Sequence, residues 1–311
     1  MLVTTISRPD RAPRRPRASR HGFTLVELLL VVVLLGIVAG GMMGIIVKQQ
    51  QFYSGSSGVL QTHAAAREGI EILQGDLRAI SPRNGDIYAM TSTSIEFRLA
   101  TGASVVCTID PTRTIITVPP AALAARNGLT SWVTAPRAGD SVFVYDTTRA
   151  NPVRWQVIAL ADSVAPAGVC PQAPVGFTTT AAEAASGYTL VLSDTLRQSI
   201  PIGAAIRSFR HVKYELYEAG DGRWYLGYYE CGANGCGQPL PVSGPYQPAG
   251  NGANGVQFAY YDSTGTATTI PADVRRIDIT VRARSANIVN TAGRARGYYL
   301  DSLQTSVAVR N

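Results

Sequence analysis

From Leu28 to Val47 the chain runs for twenty residues without a charge, and thirteen of them are Leu, Ile or Val. A helix of that length rises about 30 Å, the thickness of a bilayer's hydrocarbon core, so the stretch reads as a transmembrane helix. Each such residue near the centre favours insertion by about 0.3–0.6 kcal/mol. Their sum outweighs the roughly 2.5–3.5 kcal/mol that an acid costs even at mid-membrane. Glu27 stands immediately before the run, at its entrance, where the cost is smaller. An acid in that place needs either a positive partner or a route to the headgroups.

Charge on the two sides of the run sets its orientation. Residues 1–22 hold Arg8, Arg11, Arg14, Arg15, Arg17 and Arg20 against one acid, Asp10, whereas Lys48 is the one basic residue after the run until Arg67. Basic residues stay cytoplasmic, so everything from Lys48 onward is expected outside. Without the first 22 residues the net charge falls from +7 to +2, so bulk charge gives little support for a nucleic-acid role. A cleaved secretory signal is the competing reading, with Ala39, Gly40 and Gly41 as its cleavage site. Against it, "MMGIIV" resumes the apolar pattern beyond those small residues. A twin-arginine signal at Arg14 and Arg15 lacks the apolar residues that should follow the pair.

Beyond the span, "KQQQFYSGSSG" carries Gly55 and Gly58, which should loosen a helix, and then Ile70, Leu73, Leu77 and Ile80 recur at helical steps until Pro82. From there alternation replaces helical periodicity. "SIEFRLA", "SVVCTI", "TIITV", "SVFVYD", "VRWQVIAL" and "YTLVLS" read as strands, and "HVKYELYEAGDGRWYLGYYE" as a hairpin with Val212, Tyr214 and Leu216 answered by Trp224, Leu226 and Tyr228. "GVQFAYYDSTG", "VRRIDITVRARS" and "LQTSVAVRN" complete the set. One long helix followed by a run of strands predicts an α+β fold, the helix packed on an antiparallel strand-rich domain.

The four cysteines, Cys107, Cys170, Cys231 and Cys236, all lie beyond the span, and an even number in an exported body predicts disulfides among three possible pairings. Cys231 and Cys236 bracket "GANG" and can meet across a turn; Cys107 with Cys170 is the complementary pair. A metal site would need more ligands, and His63 and His211 lie far off in sequence. No zinc-hydrolase, phosphate-loop or dinucleotide motif is present, so neither catalysis nor a cofactor is expected. Acidic turns such as "EAGDG" lack the ligand density of a calcium loop. Arg275, Arg276, Arg282, Arg284, Arg294 and Arg296, with Tyr298 and Tyr299 just after them, form the one basic cluster that suggests phosphate contacts and base stacking. Its alternative is a solvated strand face.

"RHGFTLVELLLVVVLLGIVAG" resembles the class III signal of type IV prepilins and type II secretion pseudopilins: a basic leader ending in glycine, an aromatic, and a glutamate four residues after it. The resemblance implies that a prepilin peptidase cuts between Gly22 and Phe23 and methylates the new amine of Phe23. It also implies that Glu27 docks against the terminal amine of a neighbouring subunit. The chain would then divide into a leader at 1–22, a long helix at 23–81 with 28–47 in the bilayer, and an exported body at 82–311. The strands "VKYELY", "GVQFAYYD", "DVRRIDITVRARS" and "TSVAVRN" resemble those of the larger minor pilins of the PilW type and of J-type pseudopilins. That likeness implies a structural subunit that primes or caps a type IV pilus or secretion pseudopilus. Its implied partners are other pilins, the peptidase, the inner-membrane assembly platform and the lipid bilayer. The alternative is an anchored exported binding or adhesin domain, with nucleic acid as one conceivable ligand.

Overall fold

The computed structural model describes residues 22, 24–120, 128–149, 154–164, 169–170, 180–232, 234–250, 253–289 and 296–310. Helix accounts for 25% and strand for 40% of the structure. One helix, α1 (Leu25–Leu77), opens the chain. Next come strands β1 (Ile87–Met90), β2 (Ser94–Val105), β3 (Thr108–Ile109), β4 (Ile115–Val118), β5 (Ser131–Trp132), β6 (Ser141–Tyr145) and β7 (Trp155–Val164). A single turn of helix, α2 (Ala181–Ala184), then leads to β8 (Tyr188–Leu192) and β9 (Ala205–Glu218). The rest is β10 (Trp224–Gly232), β11 (Gly235–Cys236), β12 (Leu240–Tyr246), β13 (Val256–Tyr261), β14 (Arg276–Arg284) and β15 (Leu300–Ala308). The antiparallel, strand-rich α+β architecture expected from the periodicities is the one observed.

The chain forms two compact units, residues 1–53 and 54–311. In the second, β9 is the organising strand. One edge pairs along β2, while the other is divided: β6 takes Ile206–Phe209 and β10 takes Val212–Glu218. The sheet therefore forks at Arg210, and a separate core forms on each side. One core joins Leu73, Leu77 and Ile80 to Phe97, Val212, Tyr214, Leu226, Tyr246 and the inward residues of β13, β14 and β15. The other lies among Val142, Val144, Ile158, Leu190, Leu196 and Ile206. Thr108 and Ile109 of "SVVCTI" form the separate β3, while "SIEFRLA" runs on through Ser104 and Val105 of that second segment as one long β2. A bulge between Ala100 and Gly102 shifts its register, so a break in alternation there is not an end of the strand.

The middle of α1 differs from expectation. "KQQQFYSGSSG" is helical throughout, although two glycines there lower helix propensity. At Gly58, and again at Gly69 further along the helix, the use of glycine is close approach. A Cβ on Gly58 would lie 2.7 Å from Val289 Cγ1, and one on Gly69 would lie 2.2 Å from the Tyr246 hydroxyl. The buried stripe includes Gly55, Thr62, Ala65, Ala66, Gly69, Leu73 and Leu77, and it begins well before the Ile70–Ile80 stripe that apolar periodicity marks. Tyr246 is fully buried against it, donating its hydroxyl hydrogen to the Ala65 carbonyl at 3.0 Å.

Two glycines less than two turns apart should therefore respond in opposite ways to alanine. Alanine gains about 0.8–1 kcal/mol over glycine in a helix. Gly75→Ala, with nothing within 4 Å of the new methyl, should gain that amount. Gly69→Ala must displace a ring that has nowhere to go, and overpacking of this kind costs about 1–3 kcal/mol. Urea unfolding of the full chain in detergent micelles reads both; a Gly69→Ala protein as stable as Gly75→Ala would show that Tyr246 moves freely.

Candidate functional site

The apolar run enters its helix through a reciprocal cap. Thr24 lies just before α1, and the Glu27 N–H donates to Thr24 Oγ1 at 3.2 Å. In return the Thr24 N–H and hydroxyl donate to Glu27 Oε2 at 3.2 and 3.3 Å. This is a capping box, in which two of a helix's unpaired amino-terminal donors are satisfied at once. The Glu27 carboxylate also lies at the positive end of the helix dipole. Its charge thus has a stabilising setting within its own chain. The sequence signal is Thr-x-x-Glu ahead of an apolar run, and reading Glu27 only as a charge at a membrane entrance misses it. The same device opens α2, where the Thr180 N–H donates to Glu183 Oε2 at 2.7 Å. Gly22 is exposed just ahead of the cap. Phe23 and the arginine-rich leader lie outside the described residues.

Helix α1 contains a stretch of mean hydropathy 2.8 that is 0% buried, and Leu35, Ile37 and Met43 each expose more than half their surface. A core helix of a water-soluble protein would be covered, whereas this one fits a single-pass anchor in a bilayer or among like helices. Gly36, Gly40, Gly41 and Gly44 leave the helix unbroken.

The other residues singled out by sequence are distributed over the body. Cys107 is bonded to Cys170 with Cα atoms 5.5 Å apart, and Cys231 to Cys236 across the β10–β11 hairpin with Cα atoms 3.9 Å apart. The first bridge is buried. Glu96 comes close to Cys231 and Cys236, but both sulfurs are in the bridge and a thiolate is what a metal binds. His211 faces Glu96 at 2.7 Å with Tyr88 packed on its ring at 4.1 Å. His63, on α1, contacts Asp301 on β15 at 2.6 Å and the Tyr299 hydroxyl at 3.2 Å, tying helix to terminal strand.

Much of the arginine cluster is engaged within the chain. Arg275 Nη1 donates to the carbonyls of Ala272 and Val274 at 2.9 and 2.7 Å. Arg276 lies 3.1 Å from Asp278 and over the Tyr261 ring. Arg282 donates to the Asn254 carbonyl at 2.8 Å and to Gln257 at 3.1 Å, and Arg284 covers the Tyr298 ring at 4.4 Å. Arg296 is exposed, and Arg294 lies outside the described residues.

Against this geometry stands one likeness. Residues 17–43 match the prokaryotic N-terminal methylation motif. No curated protein and no solved structure matches the chain. The matched residues hold Gly22, Phe23, the Thr24–Glu27 cap and most of the bare apolar helix. The chain therefore carries the class III prepilin signal, which supports a type IV pilin- or pseudopilin-like protein.

Proposed function

We propose that the chain is a minor pilin or pseudopilin. The observation that carries this reading is the exposed Glu27 carboxylate at the mouth of an uncovered apolar helix, inside the methylation motif. On this reading a prepilin peptidase cuts between Gly22 and Phe23, discards the leader at 1–22 and methylates the Phe23 amine. The helix at 23–81 keeps residues 28–47 in the inner membrane. The leader's arginines hold the amino terminus in the cytoplasm, and the strand-rich body at 82–311 is exported to a compartment that permits its two disulfides. At the assembly platform the bare helix packs among those of other pilins or pseudopilins, and Glu27 meets a neighbour's terminal amine. A body of this size suits a subunit that primes or caps a type IV pilus or a type II secretion pseudopilus.

Amino-terminal sequencing of the chain isolated from its native membrane tests this. A mature protein beginning with methylated Phe23 is the expected result. A chain that retains its leader, or one beginning near Gly40, overturns it.

A further inference from the structure

The outer face of the sheet around β9 holds a cleft of about 720 Å3, within the range of small-ligand sites. Its floor is Phe143 on β6, Trp155 and Val157 on β7, and Phe209 on β9. These are the outward positions of strands whose alternate residues, Val142, Ile158 and Ile206 among them, are buried. Alternation alone would therefore place polar side chains here. The Phe143 and Phe209 rings are 4.8 Å apart, the Trp155 ring is 5.0 Å from Tyr145, and the Arg207 guanidinium lies 5.2 Å over Trp155. A second hollow of about 400 Å3 shares Trp155 and Arg207 with the first and continues past Tyr145. Two aromatic pairs thus succeed one another along a continuous groove with an arginine between them.

The rim is positive. Arg83, Arg207 and Arg310 line the first hollow, and among the described residues none of the three has an anionic partner. The one acid in that lining, Asp86, is buried, held 3.1 Å from Arg98 and accepting from the Ser81 N–H at 2.7 Å. Guanidinium groups match phosphate oxygens in pairs, and aromatic faces accept flat rings of any identity. A groove that alternates the two fits a polymer that alternates flat rings with anions.

We propose that this groove binds single-stranded nucleic acid, with bases on the Phe143–Phe209 and Trp155–Tyr145 platforms and phosphates on Arg207, Arg83 and Arg310. A duplex keeps its ring faces stacked inside and cannot use the floor. An acidic polysaccharide would also present flat faces, but its many hydroxyls favour carboxylate acceptors, and the one carboxylate in the lining, Asp86, is already paired with Arg98. No arginine of the Arg275–Arg296 cluster lines the groove, and most of the cluster's described guanidiniums are engaged within the chain.

Fluorescence anisotropy of a labelled oligothymidylate with the full chain in detergent micelles tests the proposal. Trp155→Ala should weaken binding roughly tenfold, as expected for one lost base stack, and Trp155→Phe should restore most of it. Arg207→Ala, an exposed change that spares the fold, should flatten the slope of log affinity against log salt by about 0.7. Arg282→Ala should change neither. The proposal is overturned if the oligonucleotide does not bind, if an abasic oligomer of equal charge or a sulfated polysaccharide binds as tightly, or if Arg282→Ala weakens binding while Arg207→Ala does not.

Discussion

A Glu27→Gln protein is expected to enter the membrane like the unaltered chain and yet to be missing from filaments, as is a Glu27→Ala protein. The two substitutions separate the cap that the geometry gives this side chain from the docking role proposed for it. Glutamine fills the same place in a capping box, because its carbonyl oxygen can accept from the Thr24 N–H, now made to Glu27 at 3.2 Å. Alanine loses that bond, about 0.5–1.5 kcal/mol, and the favourable placement of a negative charge at a helix amino terminus, about 0.3–1 kcal/mol. Neither loss approaches the several kcal/mol by which the apolar run favours insertion. Membrane fractionation should therefore find all three proteins in the membrane. The filament fraction, sheared from cells and probed with an antibody to the body, should contain only the unaltered chain, because a neutral amide offers a neighbour's amine no ionic partner. Glutamine at normal filament levels with alanine absent would mean that the cap alone matters, and the docking role would fail.

The same residue illustrates what was legible in the sequence. The anchor, the switch from helical to alternating periodicity and the hairpin centred on "AGDG" are all written as patterns of apolar side chains, and Leu226 does pair with Leu216 across that hairpin. The features that escape such reading are made of other material. The amino-terminal half of the buried helix stripe is built from Gly55, Thr62, Ala65 and Gly69, the last of which lets Tyr246 come close, and apolar periodicity is blind to small residues. The Glu27 cap is a polar pattern hidden by the apolar run beside it. Phe143 and Trp155 of the groove's floor fall in segments that alternation reads as strands, whereas Phe209 precedes the hairpin read from His211, and which face carries them depends on β6 and β9 pairing in register, a long-range fact. The fork in β9 is of the same kind: a fourteen-residue strand with alternating burial gives no sign that two different neighbours divide one of its edges.

That fork is where the second large effect is expected. Asp140→Ala should destabilise the body by about 3–5 kcal/mol, the range for removing one partner of a buried ion pair. Arg210 sits on β9 between Ile206, in one core, and Val212, in the other, at the point where β6 has left the strand edge and β10 has not yet joined. Its side chain is 9% exposed and that of Asp140 2%. Nε and Nη2 donate to the two Asp140 oxygens at 2.8 and 2.9 Å, and Nη2 also donates to the Ala135 carbonyl at 3.2 Å. Nη1 is 3.7 Å from Glu230 on β10, which in turn pairs with Arg137. One guanidinium thus joins the β6 side of the fork to the β10 side, and its bonds to Asp140 raise its already high pKa, so the cation persists at every working pH. Removing Asp140 leaves that cation desolvated with a carbonyl, the Tyr228 hydroxyl and a more distant carboxylate. Asp140→Asn, which keeps one acceptor, should cost less. Asp140→Leu with Arg210→Met should recover most of the loss, since apolar replacements of similar volume often match a buried pair. Urea unfolding of the full chain in detergent micelles, disulfides intact, measures all three. A loss below about 1 kcal/mol for Asp140→Ala, the range of an exposed pair, would mean that backbone pairing alone holds the fork closed.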